Sequence, residues 1–216
     1  MRLREELAEL IGTFTLVFIG AGSGALAAST GAGLVGVALA HGIALTVIVY
    51  AWGAISGAHV NPAVTFGLAV AGRTDWPKAV RFWVAQLVGA AIAGLLLRWL
   101  LGDTGNLGMT LPGSGVTALQ AIVIEAVLTF FLVVAVFGSA VAGRNGNAAG
   151  LAIGLVLAMD ILMGGSLTGA SMNPARSFGP ALALLRFGDF WIYIVGPLLG
   201  GGLAALLYDR LFLRNA

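Results

Sequence analysis

Two Asn-Pro-Ala triplets, Asn61-Pro62-Ala63 and Asn173-Pro174-Ala175, interrupt an otherwise apolar chain. Asn favours the N-cap and Pro the first helical turn, so each triplet predicts a helix start. Such a start presents unpaired N–H donors and about half a positive charge. Arg176 follows the second triplet directly and adds a fixed charge. Glu9 and Glu125 lie inside apolar runs, where an ionisable group is a functional candidate: a proton relay or a buried acceptor. The only histidines are His41 and His59, too few for a multi-His metal site. The absence of cysteine excludes disulfides, thiol catalysis and thiolate metal sites. No nucleophile–base set is visible, so the residues point away from an enzyme and call for no cofactor.

The elements that must position these groups belong in a bilayer. Of 216 residues, 59% are hydrophobic and 9% charged, and the mean hydropathy is +1.01. A soluble domain carries about 25% charged residues, so this chain has too few to cover a wet surface. The net charge of +2 carries no nucleic-acid signature. Six apolar segments are long enough to span, at about 7–28, 34–54, 80–101, 116–141, 148–163 and 190–211. Two more, 62–71 and 174–184, follow the triplets and reach only about 15 Å as helix, half of a ~30 Å hydrocarbon core. The expected fold is an all-α membrane protein of six spanning helices and two re-entrant half-helices. The 33 glycines suit close helix packing, at Gly36, Gly42, Gly89, Gly94, Gly150, Gly154, Gly196 and Gly200 among others.

The chain also repeats itself. The stretch 55–67 matches 167–179 at seven of 13 positions, offset by 112, and Glu9…Thr13-Phe14…Leu16-Val17 echoes Glu125…Thr129-Phe130…Leu132-Val133. Two halves, 1–110 and 111–216, are therefore expected, each with three spans and one half-helix. Three spans is an odd number, so the second half enters the membrane inverted, and the paired broken segments mark a transport site near the midplane. Two half-helix N-termini meeting there repel a cation from both sides. Asn61 and Asn173 then offer donors to the lumen. The irregular backbone before each triplet (Gly57, Ala58, His59; Gly169, Ala170, Ser171) offers carbonyl acceptors. A wall of acceptors with donors at its centre suits a small neutral hydrogen-bonding solute.

The basic residues orient the chain. With the N-terminus inside, Arg2, Arg4, Arg73, Lys78, Arg81, Arg144, Arg210 and Arg214 collect on the cytoplasmic side, against Arg98, Arg176 and Arg186 outside. Both termini are expected in the cytoplasm, with the plasma membrane as the site.

Over essentially its whole length the chain resembles the major intrinsic proteins, the aquaporin and aquaglyceroporin family. The resemblance is carried by Ala8-Glu9-x-x-Gly12-Thr13-Phe14, by Ser56-Gly57-Ala58-His59-Val60-Asn61-Pro62-Ala63-Val64-Thr65, by Glu125 and by Asn173-Pro174-Ala175-Arg176-Ser177. It implies a passive channel for water and small neutral solutes in a lipid bilayer, assembled as a homotetramer with one pore per protomer. It further implies a four-residue filter near the outer mouth: His41, Ile161, Ala170 and Arg176. Strict water channels resemble one another in Phe, His, Cys or Thr, and Arg at these places. The present set looks more like that of plant tonoplast-type members, wider and more apolar on one side, which favours ammonia over glycerol or urea as a second solute. Ser177 and Ala181 stand where glycerol facilitators carry an Asp and a Lys or Arg, and Tyr193-Ile194 only half fits the aromatic-Trp pair of water channels. The resemblance also implies that Glu9 and Glu125 are buried acceptors tying down the re-entrant loops.

Blander readings compete at several positions. The asparagines could be caps only, Arg176 could reach a headgroup, and His41 could be a packing residue. Asp160 is expected to accept hydrogen bonds from the second re-entrant loop or to face outer water. The rival functions are an aquaglyceroporin-like solute facilitator, as the resemblance allows, and an ion-coupled carrier, since inverted repeats occur there too. The carrier would need a protein-lined cation site, and the central polar groups are donors.

Overall fold

The computed structural model describes residues 2–143 and 146–214; Arg144, counted above with the cytoplasmic side, lies outside them. Among the described residues there are eight α-helices and no strand: α1 (Arg2–Thr30), α2 (Gly33–Ser56), α3 (Pro62–Val70), α4 (Trp76–Leu101), α5 (Ala118–Val136), α6 (Ala149–Thr168), α7 (Pro174–Leu184) and α8 (Ile192–Tyr208). α5 and α8 each continue into a wider π-type turn, Phe137–Val141 and Asp209–Leu213. Six helices are long and apolar enough to cross a membrane; α3 and α7, at 9 and 11 residues, are not.

Local sequence sets the boundaries. Asp75 caps α4 by accepting from the Lys78 N–H at 2.7 Å, with Pro77 in the first turn. Thr117 and Gln120 form a reciprocal capping box on α5. α2 and α6 end at Gly57 and Gly169, whose φ of 92° and 81° suits residues without a Cβ. α6 runs five residues past the expected Met163, because Gly164-Gly165 does not break it: both pack against leucines, Leu128 and Leu34, and the helix turns only at Gly169.

Packing inverts the pattern of a soluble protein. Val47, Leu155, Leu203 and other large apolar side chains are exposed along the bundle's outside, while Glu9, Glu125, Asn61, Asn173 and Arg176 are buried. Helices approach closely at small residues. A Cβ on Gly89 of α4 would collide with the Leu10 carbonyl of α1, and one on Gly200 of α8 with the Ala126 carbonyl of α5. Gly36 departs from the expected role: a Cβ there would meet only Ala32, which immediately precedes its own helix. Charged pairs gather at the bundle's ends, with Lys78–Glu5 (3.0 Å) and Arg81–Glu6 (2.7 Å) at the end holding the termini and Arg98–Asp103 (2.9 Å) at the far end.

Candidate pore

The two half-helices begin where their triplets predict. Asn61 caps α3, its Oδ1 accepting from the Ala63 N–H at 2.8 Å. Asn173 caps α7, accepting from the N–H groups of Ala175 (2.9 Å) and Arg176 (3.2 Å). Each cap also reaches across to the other loop. Asn61 Nδ2 donates to the Met172 carbonyl at 2.8 Å, and Asn173 Nδ2 donates to the Val60 carbonyl at 2.9 Å. A primary amide has two N–H donors, so each asparagine has a second one that these bonds do not use.

The loops before the caps are held in unusual backbone. Ala58 and Val60 have φ of 48° and 42°, and Ala170 and Met172 have φ of 44° and 53°. The left-handed region is costly for a β-branched residue such as Val60. Two buried carboxylates hold these loops. Glu9 accepts from Ser56 Oγ (2.7 Å), the His59 N–H (2.9 Å), the Val60 N–H (2.6 Å) and Gln86 Nε2 (2.7 Å). Glu125 accepts from Thr168 Oγ1 (2.7 Å) and from the N–H groups of Ser171 (2.9 Å) and Met172 (2.7 Å). Ser56 and Thr168 in turn accept from the N–H groups of Ala58 and Ala170.

A cavity of about 320 Å³ runs along this stripe, from Arg73 and Thr74 at the termini end, past Asn61 and Asn173, to His41 and Arg176. Gly57, Ala58, His59, Val60 and Ser171 line its polar side; Leu45, Val49, Leu132, Val136, Ile153 and Leu157 are among the residues of its apolar wall. Of the residues expected to supply carbonyls, Gly169 and Ala170 are not in the lining. The His59 ring is held from behind by Thr65 Oγ1 at 3.1 Å and by an edge contact with Phe82.

At the far end, Arg176 Nε donates to His41 Nε2 at 3.3 Å and its Nη1 to the Gly108 carbonyl at 2.7 Å. His41 Nδ1 lies 2.9 Å from the Val37 carbonyl, which requires the proton on Nδ1 and leaves Nε2 free to accept. The structure thus brings together two of the four expected filter residues. Ile161 and Ala170 are buried in the apolar cluster that also supplies Leu45, Leu132, Val136, Ile153 and Leu157 to the wall, and are not themselves in the cavity lining. Asp160 meets neither expectation: it is 1% exposed, and its Oδ2 has no hydrogen-bond partner among the described residues.

Sequence reasoning missed the carbonyls of Val60 and Met172, the hydroxyls of Ser56 and Thr168, and Gln86. All but Gln86 occupy matching places in the internal repeat, which was the available signal. Gln86 sits on α4 and has no such cue.

A sequence profile of the major intrinsic proteins matches residues 1–208. The chain belongs to this family. It is similar to Aquaporin TIP1-1 of Zea mays, at 47% identity over 99% of this chain and 88% of the relative. It is also similar to Aquaporin TIP2-1 of Arabidopsis thaliana, at 44% identity over 99% and 89%. Its fold matches the X-ray structure of the aquaglyceroporin from Plasmodium falciparum with a TM-score of 0.88 at 26% identity, covering 99% of this chain and 98% of that one. This member of the major intrinsic protein family is an integral membrane protein with the fold expected from its sequence.

Proposed function

We propose that this chain is a passive pore for water that also admits small neutral solutes, ammonia ahead of glycerol, and excludes protons and ions. One observation carries the reading: a single cavity passes both half-helix N-termini with a line of backbone acceptors on one side and an apolar wall on the other. Water exchanges hydrogen bonds along the acceptors while the apolar wall holds it weakly. At the centre, Asn61 and Asn173 donate to the passing oxygen, and the half-helix ends repel a cation from both sides. Arg176 adds a buried fixed charge at one end. In this reading His41, Ile161, Ala170 and Arg176 form the filter. Gly57, Ala58, His59 and Ser171 supply the acceptor line, and Glu9 and Glu125 hold the loops. The relatives named aquaporins, at 44–47% identity, support water over a dedicated glycerol facilitator.

Three further parts belong to this reading. The halves 1–110 and 111–216 are inverted repeats, supported by the matched bonds of Glu9 and Glu125. The assembly is a homotetramer, supported by family membership. Both termini face the cytoplasm, supported by the basic residues at that end. The TIP relatives support an integral membrane protein and give no support to the plasma membrane expected from the sequence.

Osmotic swelling of proteoliposomes, followed by stopped-flow light scattering, tests the function. The expected result is a large rise in water permeability with weak temperature dependence and no proton leak under an imposed pH gradient. Proton current through the unmodified protein, or water flux no faster than in empty liposomes, overturns it.

A further inference from the structure

Arg176 is not the only guanidinium on the cavity wall. Arg73 lines the opposite mouth, at the termini end, beside Thr74. It lies just past α3, where Gly72 takes φ of 74° and the N–H groups of Arg73 and Thr74 turn back onto the Leu68 carbonyl at 2.8 and 3.2 Å. This turn carries the Arg73 backbone to the mouth.

The side chain is held from the other end of the sequence. Asp209, in the turn that follows α8, is 1% exposed. Its Oδ1 accepts from Arg73 Nε at 2.8 Å and from Arg73 Nη2 at 2.7 Å. Its Oδ2 pairs with Arg214, which also donates to the Ala71 carbonyl at 2.9 Å. Two guanidinium groups share one carboxylate, so the cluster keeps a net positive charge. Arg214 fastens the chain's C-terminal turn to the end of α3. Arg73 is partly open, 39% exposed at its side chain, on the solute's path.

We propose that Arg73 is a second cation-excluding residue of the pore, set at the mouth opposite Arg176 and positioned there by Asp209. The inference rests on the channel reading above. A cation entering from the termini end meets this charge before it reaches the half-helix ends, whereas a neutral solute finds a hydrogen-bond donor there. The mouth is wet, so the barrier is modest and shared with the central one.

The chain has no cysteine, which gives a direct test. A single reporter thiol is placed beyond Arg73 on the cavity wall by Leu68→Cys, and independently on the facing wall by Val136→Cys. The detergent-solubilised protein is labelled with methyl methanethiosulfonate, which is neutral, or with its aminoethyl analogue, which is cationic. Labelling rates are read by mass spectrometry. The ratio of cationic to neutral rate cancels changes in general access to the thiol.

Arg73→Gln is expected to raise this ratio about threefold or more, the effect of removing one nearby charge in a largely aqueous setting. Arg73→Lys, which keeps the charge but not the two-nitrogen grip on Asp209, is expected to fall between the two. Asp209→Asn separates positioning from total charge. It makes the cluster more positive, so charge alone lowers the ratio, whereas release of Arg73 from the wall raises it. A rise of about twofold is expected. An unchanged or lower ratio in Arg73→Gln overturns the role of Arg73, and a lower ratio in Asp209→Asn overturns the positioning by Asp209. Water flux of the unmodified protein is measured separately, so a failed channel reading and a failed role for Arg73 remain distinct results.

Discussion

Asn61 and Asn173 each hold the loop that leads to the other. Asn61 donates to the Met172 carbonyl, one residue before Asn173, and Asn173 donates to the Val60 carbonyl, one residue before Asn61. The same two residues are gripped from behind, the Val60 N–H by Glu9 and the Met172 N–H by Glu125. Each strained residue is therefore pinned on both sides, by a carboxylate on its own repeat and an amide on the other. That arrangement holds the left-handed backbone of Val60 and Met172 in place and joins the two loops.

Cutting this exchange has a predicted thermodynamic signature. Asn61→Ala removes a cap and a cross-loop bond and leaves the Met172 carbonyl unpaired; Asn173→Ala does the same to Val60. Each is expected to cost about 1–3 kcal/mol. The double variant should differ from the sum by roughly 0.5 kcal/mol or more, because each substitution loosens the loop that the other asparagine caps. Thermal unfolding in detergent measures all three. Strict additivity would mean that the loops are held independently.

The two glutamates should respond alike to amide substitution. Each oxygen of Glu9 faces one backbone N–H, His59 on Oε1 and Val60 on Oε2, and each oxygen of Glu125 does too, Ser171 on Oε1 and Met172 on Oε2. The other partners can reverse: the Ser56 and Thr168 hydroxyls can accept, and the Gln86 amide can turn its oxygen round. A glutamine therefore aims its NH₂ at one backbone donor whichever way it turns. Glu9→Gln and Glu125→Gln should each destabilise by about the cost of one orphaned buried donor, ~1–3 kcal/mol. An unchanged unfolding temperature in either variant would contradict this account.

How far the sequence could be read follows from what each feature depends on. The spans depend on apolar length, and the half-helices on Asn-Pro-Ala, so both are legible locally. The carboxylate clamps are expected as acceptors from the family resemblance, since the residues alone leave a proton relay open. The donors' identities are not, since they lie 43 to 77 residues away. The cross-loop bonds need two loops to meet, which no local pattern states. Asp160 is the reverse case: its position on α6 gave two reasonable environments, and it has neither.

The His41–Arg176 contact depends on a glycine. A Cβ on Gly20 of α1 would collide with the His41 imidazole. Gly20→Ala should push the ring away, break the 3.3 Å contact with Arg176 and leave that guanidinium held only by Gly108 among these two partners. The expected result is a folded protein with an altered ratio of ammonia to water flux, since the disturbance falls on the proposed filter. Stopped-flow measurements of both fluxes on the same liposomes test it. An unchanged ratio would place the narrow point away from His41.

The last prediction concerns the apolar side of that filter. His41 and Arg176 supply polar groups, whereas Ile161 and Ala170 are buried in the neighbouring apolar cluster and bring no side-chain donor. Water there loses part of the hydrogen bonding that would distinguish it from a slightly larger neutral solute. Replacing Ile161 by His and Ala170 by Cys adds polarity to that side, and Cys is larger than Ala. If these side chains border the narrow point, the ratio of ammonia to water flux should fall while water flux changes less. A membrane pore that discriminates by a few hydrogen bonds, each worth about 1 kcal/mol, should shift the ratio by roughly fivefold. The comparison is made in proteoliposomes normalised to channels per vesicle. An unchanged ratio in correctly folded protein would mean that Ile161 and Ala170 only support the wall, and that His41 and Arg176 set selectivity by themselves.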